Sequence, residues 1–173
     1  MKSIARSPGH DWMSLVDMSG VMVSEPVLHT FFPEGPKPAN EYVVRQLERA
    51  WRGYQIRADE GTADAKSRWM NFVYDVVLEI PRENWKISND VPDSCVADLQ
   101  TYDQKLVPNR VMVKDGVALL SVLEYFNGQD LTKVETKTGK WKASPLTKID
   151  RLLRETKVQF GLLTNGREII RVH

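Results

Sequence analysis

The sequence predicts one α/β domain, a mixed sheet packed against helices, behind a short N-terminal arm. Three observations predict it. Apolar residues recur at helical spacing in two segments before the middle of the chain and in one after it. Short β-branched and aliphatic runs lie between and beyond these segments. Two of the breaks, Lys114-Asp115-Gly116 and Asn165-Gly166, carry the residues that tight hairpin turns demand. With 173 residues, 42% of them hydrophobic, the chain is long enough to bury one core.

Residues 1–39 read as the arm. Asp11 to Phe32 is apolar without a sustained period, and the run PEGPKPAN then breaks the chain. The domain proper, 40–173, opens with Asn40 placed to cap a helix whose apolar positions are Val43, Val44, Leu47, Ala50, Trp51 and Tyr54. A second helix carries Trp69, Phe72, Val73, Val76, Val77 and Ile80 on one stripe, and Pro81 stops it. From Arg82 to Lys105 the chain is polar and irregular, so loop with at most a short strand is expected. Val107–Val113 and Val117–Phe126 form a hairpin.

Thr132–Ser144, with Lys133, Lys137, Lys140 and Lys142 around Trp141, reads as an exposed loop. Ser144 then caps a helix with Pro145 at its first position, where a missing N–H costs nothing. Leu146, Ile149, Leu152 and Leu153 supply its buried face. Phe160–Thr164 is a strand, Asn165-Gly166 suits a type I′ turn with positive φ at both residues, and Arg167–Val172 returns. On that geometry Asn165→Gly is near neutral, and Leu162 with Ile169 or Ile170 faces the core.

Lys plus Arg is 24 against 23 Asp plus Glu, so any basic surface must be local. A lone cysteine, Cys95, excludes an internal disulfide and a multi-cysteine zinc site, which fits an inert thiol in a reducing cytoplasm. The N-terminus lacks the apolar stretch of a signal peptide, and no segment has the ~20 apolar residues of a membrane helix, so a soluble cytoplasmic protein without membrane contact is expected. His10, His29 and His173 are too scattered for a metal triad. Neither a glycine-rich methyl-donor loop nor a phosphate-cradling loop with lysine occurs, so no cofactor is expected in this chain.

Pro108-Asn109 in LVPNRVMV and Glu124-Tyr125-Phe126 in LLSVLEYFNG stand on a hairpin that is preceded by a helix and followed by a helix and a strand. That arrangement resembles the core of the PD-(D/E)xK nuclease superfamily. LLRETKVQFGLLTNGRE is similar to the segment closing that domain in the N-terminal regions of fused restriction–modification enzymes. HDWMSLVDMSGVMVSEPVLHTFFPEG is similar to the start of such proteins, among them DNA methyltransferases of phage-defence islands. The resemblance implies a restriction-endonuclease-like mixed sheet flanked by helices over 40–173. It also implies a downstream methyltransferase domain, acting site-specifically on DNA adenine, and a chain that ends at His173 because the nuclease-like domain ends about there.

In that superfamily two carboxylates on paired strands bind magnesium, and a lysine two residues beyond the second reaches the attacking water from the same strand face. Here the first carboxylate is replaced by Asn109 and the lysine by Phe126, so Glu124 alone keeps its chemistry. A literal Pro92-Asp93 lies upstream, off the hairpin. Glu124 is then either a strand-end carboxylate in a salt bridge or a metal ligand. The expected role is a cleavage-inactive domain that touches DNA or the methyltransferase domain. Lys133, Lys137, Lys140 and Lys142 would bind duplex DNA weakly, with Lys148 and Arg151 on the exposed side of the next helix. The alternatives are a magnesium-dependent endonuclease using Glu124 with a lysine displaced to Lys148 or a neighbouring strand, and a structural or protein-binding remnant.

Overall fold

A computed structural model of the chain describes residues 25–35, 39–59, 64–125, 127–135 and 140–173. The chain divides into two compact units, 1–44 and 45–173. In the first, α1 (Glu25–Phe31) and the start of α2 (Glu41–Asp59) are described. The second carries the rest of α2, then α3 (Ala65–Phe72), β1 (Trp85–Ile87), β2 (Ala97–Leu99), β3 (Gln104–Leu106), β4 (Arg110–Lys114), β5 (Val117–Glu124), α4 (Pro145–Thr156), β6 (Phe160–Thr164) and β7 (Ile169–Val172). Among the described residues no helix is long and apolar enough to cross a membrane. Phe126 and Lys137 lie outside the described residues, as does most of the arm.

The architecture is α/β, as expected. Five strands form one mixed sheet in the order β1-β4-β5-β6-β7, and β2 and β3 form a separate ribbon. Every pairing in the large sheet is antiparallel except β5 with β6, which are joined through α4. Alternation along the strands splits the core in two. Val111, Leu123 and Leu163 pack with Ile149, Leu152 and Leu153 of α4. Val122 and Leu162 point the other way, onto Met70, Val73 and Tyr74. The sheet is therefore covered by α4 on one face and by α3 with its extension on the other.

Local chemistry accounts for the well-anticipated elements. Asn40 caps α2 by accepting from the Tyr42 amide at 2.9 Å. Ser144 caps α4 by accepting from the Thr147 amide at 3.1 Å, with Pro145 beside it. Asp115 (φ 51°) and Gly116 (φ 78°) take the left-handed conformations of the two-residue turn joining β4 to β5.

Elsewhere the structure corrects the expectation. The stripe from Trp69 to Ile80 does not stay on one face, because α3 ends at Phe72 and Val73–Val77 form a π-turn. That extra residue per turn rotates the buried side to Met70, Val73 and Tyr74 and leaves Val76 and Val77 exposed. The region Arg82–Lys105 contains two complete short strands and the start of β3. Asn165-Gly166 is not a type I′ turn. Only Gly166 has positive φ, and residues 165–168 form a four-residue connection between Thr164 and Ile169.

Asn165 is buried and organises that connection through its side chain. Its Oδ1 accepts from the amides of Arg167 (2.9 Å) and Glu168 (2.8 Å), while its Nδ2 donates to the Gln129 carbonyl (2.9 Å) and to Glu168 Oε2 (3.0 Å). Glycine cannot replace that set, so near-neutrality of Asn165→Gly does not hold.

Gly161 sets the distance between sheet and helix. A Cβ there would stand 2.8 Å from Ile149 Cδ1 and 2.9 Å from Leu153 Cδ1. Gly161→Ala is expected to cost about 1 to 3 kcal/mol through overpacking. A denaturant midpoint equal to that of the parent protein would show that α4 shifts freely over the sheet.

Candidate functional site

Asn109 and Glu124 meet at the open end of the hairpin. The Glu124 amide donates to Asn109 Oδ1 at 2.7 Å, and the Asn109 amide donates to the Val122 carbonyl at 2.9 Å. Asn109 thus spends its side chain holding the end of β5 against the start of β4. Pro108 beside it is fully buried.

Glu124 projects from the sheet face that α3 covers, and its side chain is only 6% exposed. Its Oε1 accepts from Arg110 Nε at 2.9 Å and from the Tyr74 hydroxyl at 3.2 Å. Lys66 Nζ lies 3.9 Å from Oε2 and donates to the Tyr125 carbonyl at 3.0 Å. The Arg110 guanidinium sits 4.4 Å from the centre of the Tyr74 ring and 5.7 Å from that of Trp85, so its charge is flanked by two aromatic faces as well as the carboxylate. Burial, and then the Glu124 charge, push the Tyr74 phenol far above its ordinary value, so it stays a donor to that carboxylate.

A β-bulge makes this arrangement possible. Val113 pairs with Ala118 but Met112 pairs with Leu120, leaving Leu119 as an extra residue in β5. The shift places Arg110 opposite Val122, on the same face as Glu124, where the uninterrupted turn register would have put it opposite Ser121 and on the other side.

A second buried pair stands nearby. Lys148 of α4 is paired with Glu135, with side chains 7% and 12% exposed, and Gln129 Nε2 donates to Glu135 Oε1 at 2.8 Å. Lys148 is therefore not on the exposed side of α4, and its ammonium is held by Glu135 rather than by Glu124, which removes one of the lysine positions that the endonuclease alternative allowed. Burial, and then Glu135, raise the Tyr125 phenol well above its ordinary value.

Between the two pairs opens a cleft of about 500 Å³ whose walls include Lys66, Gln104, Lys105, Asn109, Gln129 and Glu135. Of the other expected DNA-contact residues that are described, Lys133, Lys140 and Lys142 lie on loops and Arg151 on the outer face of α4. Lys133 pairs with Asp130 at 3.0 Å, Lys140 pairs with Asp103, and Arg151 pairs with Glu155 at 2.7 Å. Lys142 is exposed and has interactions of its own. Asp130 also accepts from the Thr132 hydroxyl at 2.7 Å, and chiefly through that bond its carboxyl is held well below the usual range. Such exposed pairs are worth about 0 to 1 kcal/mol, so a phosphate can displace them.

Magnesium does not fit this end of the hairpin. A neutral amide occupies one ligand position, and the remaining carboxylate is already neutralised by Arg110 and Lys66. Among the described residues no group of three or more His, Cys, Asp or Glu side chains stands together. Asp93 is exposed on a 3₁₀ turn rather than on the hairpin.

Lys66, Tyr74, Arg110 and Lys105 were not singled out from the sequence. Arg110 had a signal, since it follows Asn109 at the start of the strand paired with Glu124. Lys66 and Tyr74 had none, because they reach Glu124 across at least 50 residues of chain. The chain matches no protein-family model, no curated protein and no solved structure.

Proposed function

We propose that this chain is a nuclease-like domain that does not cleave, and that it contacts DNA in the cytoplasm for a restriction–modification or phage-defence methyltransferase. The order of α3, the β4–β5 hairpin, α4 and a parallel β6 supports a restriction-endonuclease-like fold, since it follows the helix, hairpin, helix and strand of that core. One observation carries the loss of cleavage. Glu124 is held by Arg110 at 2.9 Å in the position where a metal ligand would need a free carboxylate. DNA contact rests on Lys66 and Lys105 in the cleft and on Lys133, Lys140 and Lys142 along the neighbouring loop, in place of the buried Lys148.

The test combines two assays on the same protein. Incubation with magnesium should leave duplex DNA intact. Anisotropy titrations should show weak duplex binding whose log affinity falls with log salt by about 0.9 per phosphate contact. Replacing Lys133, Lys140 and Lys142 together with alanine should flatten that slope. Salt-independent affinity, or none at low salt, would remove DNA contact and leave a protein-binding role. Nicking that disappears in Glu124→Ala would instead support an active magnesium-dependent endonuclease with its lysine supplied by α3.

A further inference from the structure

Next to Gln104 and Lys105 of the cleft wall, Tyr102 stacks on Trp141, with ring centroids 5.6 Å apart and planes 27° from parallel. Trp141 packs against the core beneath and its amide donates to Gln104 Oε1 at 3.2 Å, so the ring pair is tied to a residue of the cleft wall. Tyr102 is 40% exposed and is not among the residues packed on that core. An aromatic ring is thus held in place by a tryptophan while much of its own surface meets solvent. Three residues along, Lys105 lines the cleft together with Lys66, and Gln104, Asn109 and Gln129 line it too.

We infer that this ring pair and the cleft bind a short unpaired segment of nucleic acid, one base stacking on Tyr102 and an adjoining phosphate entering the cleft between Lys105 and Lys66. The inference rests on the DNA-contact reading above and makes it specific. A duplex keeps its base faces stacked inside, so an exposed ring offers it nothing, whereas an unpaired base has a free face of its own. A concave site of about 500 Å³ suits a nucleotide better than the convex surface of a double helix. Charge orients the strand. The two carboxylates that line the cleft, Glu124 and Glu135, are largely buried and already paired with Arg110 and Lys148, whereas Asp98 stands exposed across from Lys105 in the ribbon, so phosphate is favoured on the cleft side of Lys105, toward Lys66.

The test is a set of anisotropy titrations at low salt with labelled oligothymidylate, an abasic strand and a blunt duplex of equal length, with oligouridylate to separate DNA from RNA. Oligothymidylate should bind more tightly than both the abasic strand and the duplex. Tyr102→Ala should weaken it about tenfold while leaving the duplex unchanged, and Tyr102→Phe should restore it. Lys105→Ala should weaken all three and reduce the salt slope. Equal binding of the abasic strand and oligothymidylate, or an equal response of oligothymidylate and duplex to Tyr102→Ala, would overturn the stacked nucleotide while leaving duplex contact standing. Absence of salt-dependent binding to any of them would remove both readings. An unchanged denaturation midpoint in Tyr102→Ala and Tyr102→Phe keeps these outcomes separate from misfolding.

Discussion

Glu124→Ala is expected to destabilise the domain by about 3 to 5 kcal/mol, the range for removing one partner of a buried ion pair. The alanine leaves Arg110 charged at 15% side-chain exposure between the rings of Tyr74 and Trp85. It also strips the Tyr74 hydroxyl of its acceptor. Glu124→Gln keeps an acceptor but not the charge, and should fall between. Replacing both members with apolar residues of similar size, as in Arg110→Met with Glu124→Leu, should recover most of the loss, because the cost comes from the orphaned charge. Denaturant titration of the four proteins checks this. A Glu124→Ala midpoint at or above that of the parent would mean that the carboxylate is not bound to Arg110, and the case against metal binding would lose its basis.

Gly166→Val should cost about 3 to 5 kcal/mol, from two sources that add. The residue sits at φ 86°, a conformation that β-branched side chains reach only with strain, and a Cβ there would lie 2.5 Å from the Tyr54 hydroxyl and 3.1 Å from its Cζ. The same point lies 3.3 Å from Lys66 Cγ, so the substitution also pushes on the lysine beside Glu124. The Tyr54 hydroxyl is buried with no hydrogen-bond partner among the described residues, which makes Tyr54→Phe nearly neutral by itself. In a cycle of Gly166→Ala and Tyr54→Phe, the phenylalanine should relieve the contact part of the alanine's cost and leave the backbone part. Strict additivity of the two changes would place the whole effect in the backbone.

These substitutions act on stability, and the DNA titrations act on surface residues. Lys105 and Tyr102 are exposed and lie outside the buried network of Glu124, so their replacement tests binding with little effect on folding. That separation is useful in a domain whose candidate site is built largely from buried charges.

Much of the architecture was legible in the sequence, for local reasons. Periodicity located α2 and α4, capping chemistry located their starts, and the Asp115-Gly116 pair located the β4–β5 turn, since each depends on residues a few positions apart. The strand Phe160–Thr164 was found to the residue. Pro108-Asn109 and Glu124 were expected to meet, and the hairpin brings them together through a 2.7 Å bond. Local spacing also misled. The apolar stripe after Trp69 assumed an unbroken helix, but the π-turn moves its buried face. Asn165-Gly166 carried the composition of a type I′ turn, but the demands of a buried Asn165 side chain produced a longer connection.

What only the tertiary structure decided is the electrostatic state of the site. From sequence alone Glu124 read first as a strand-end carboxylate in a salt bridge or in solvent, with metal ligation as the lesser alternative. The extra residue at Leu119 turns Arg110 onto its face, and the packing of α3 and the π-turn after it delivers Lys66 and Tyr74. Lys148 looked like a surface cation because lysine on a helix usually is one, yet the fold places Glu135 against it and buries both. Sequence spacing fixes which residues share a strand or a turn of helix. The charge a carboxylate can offer to a metal or a phosphate depends on neighbours from distant segments, which come within Coulombic reach only when the sheet and its covering helices assemble.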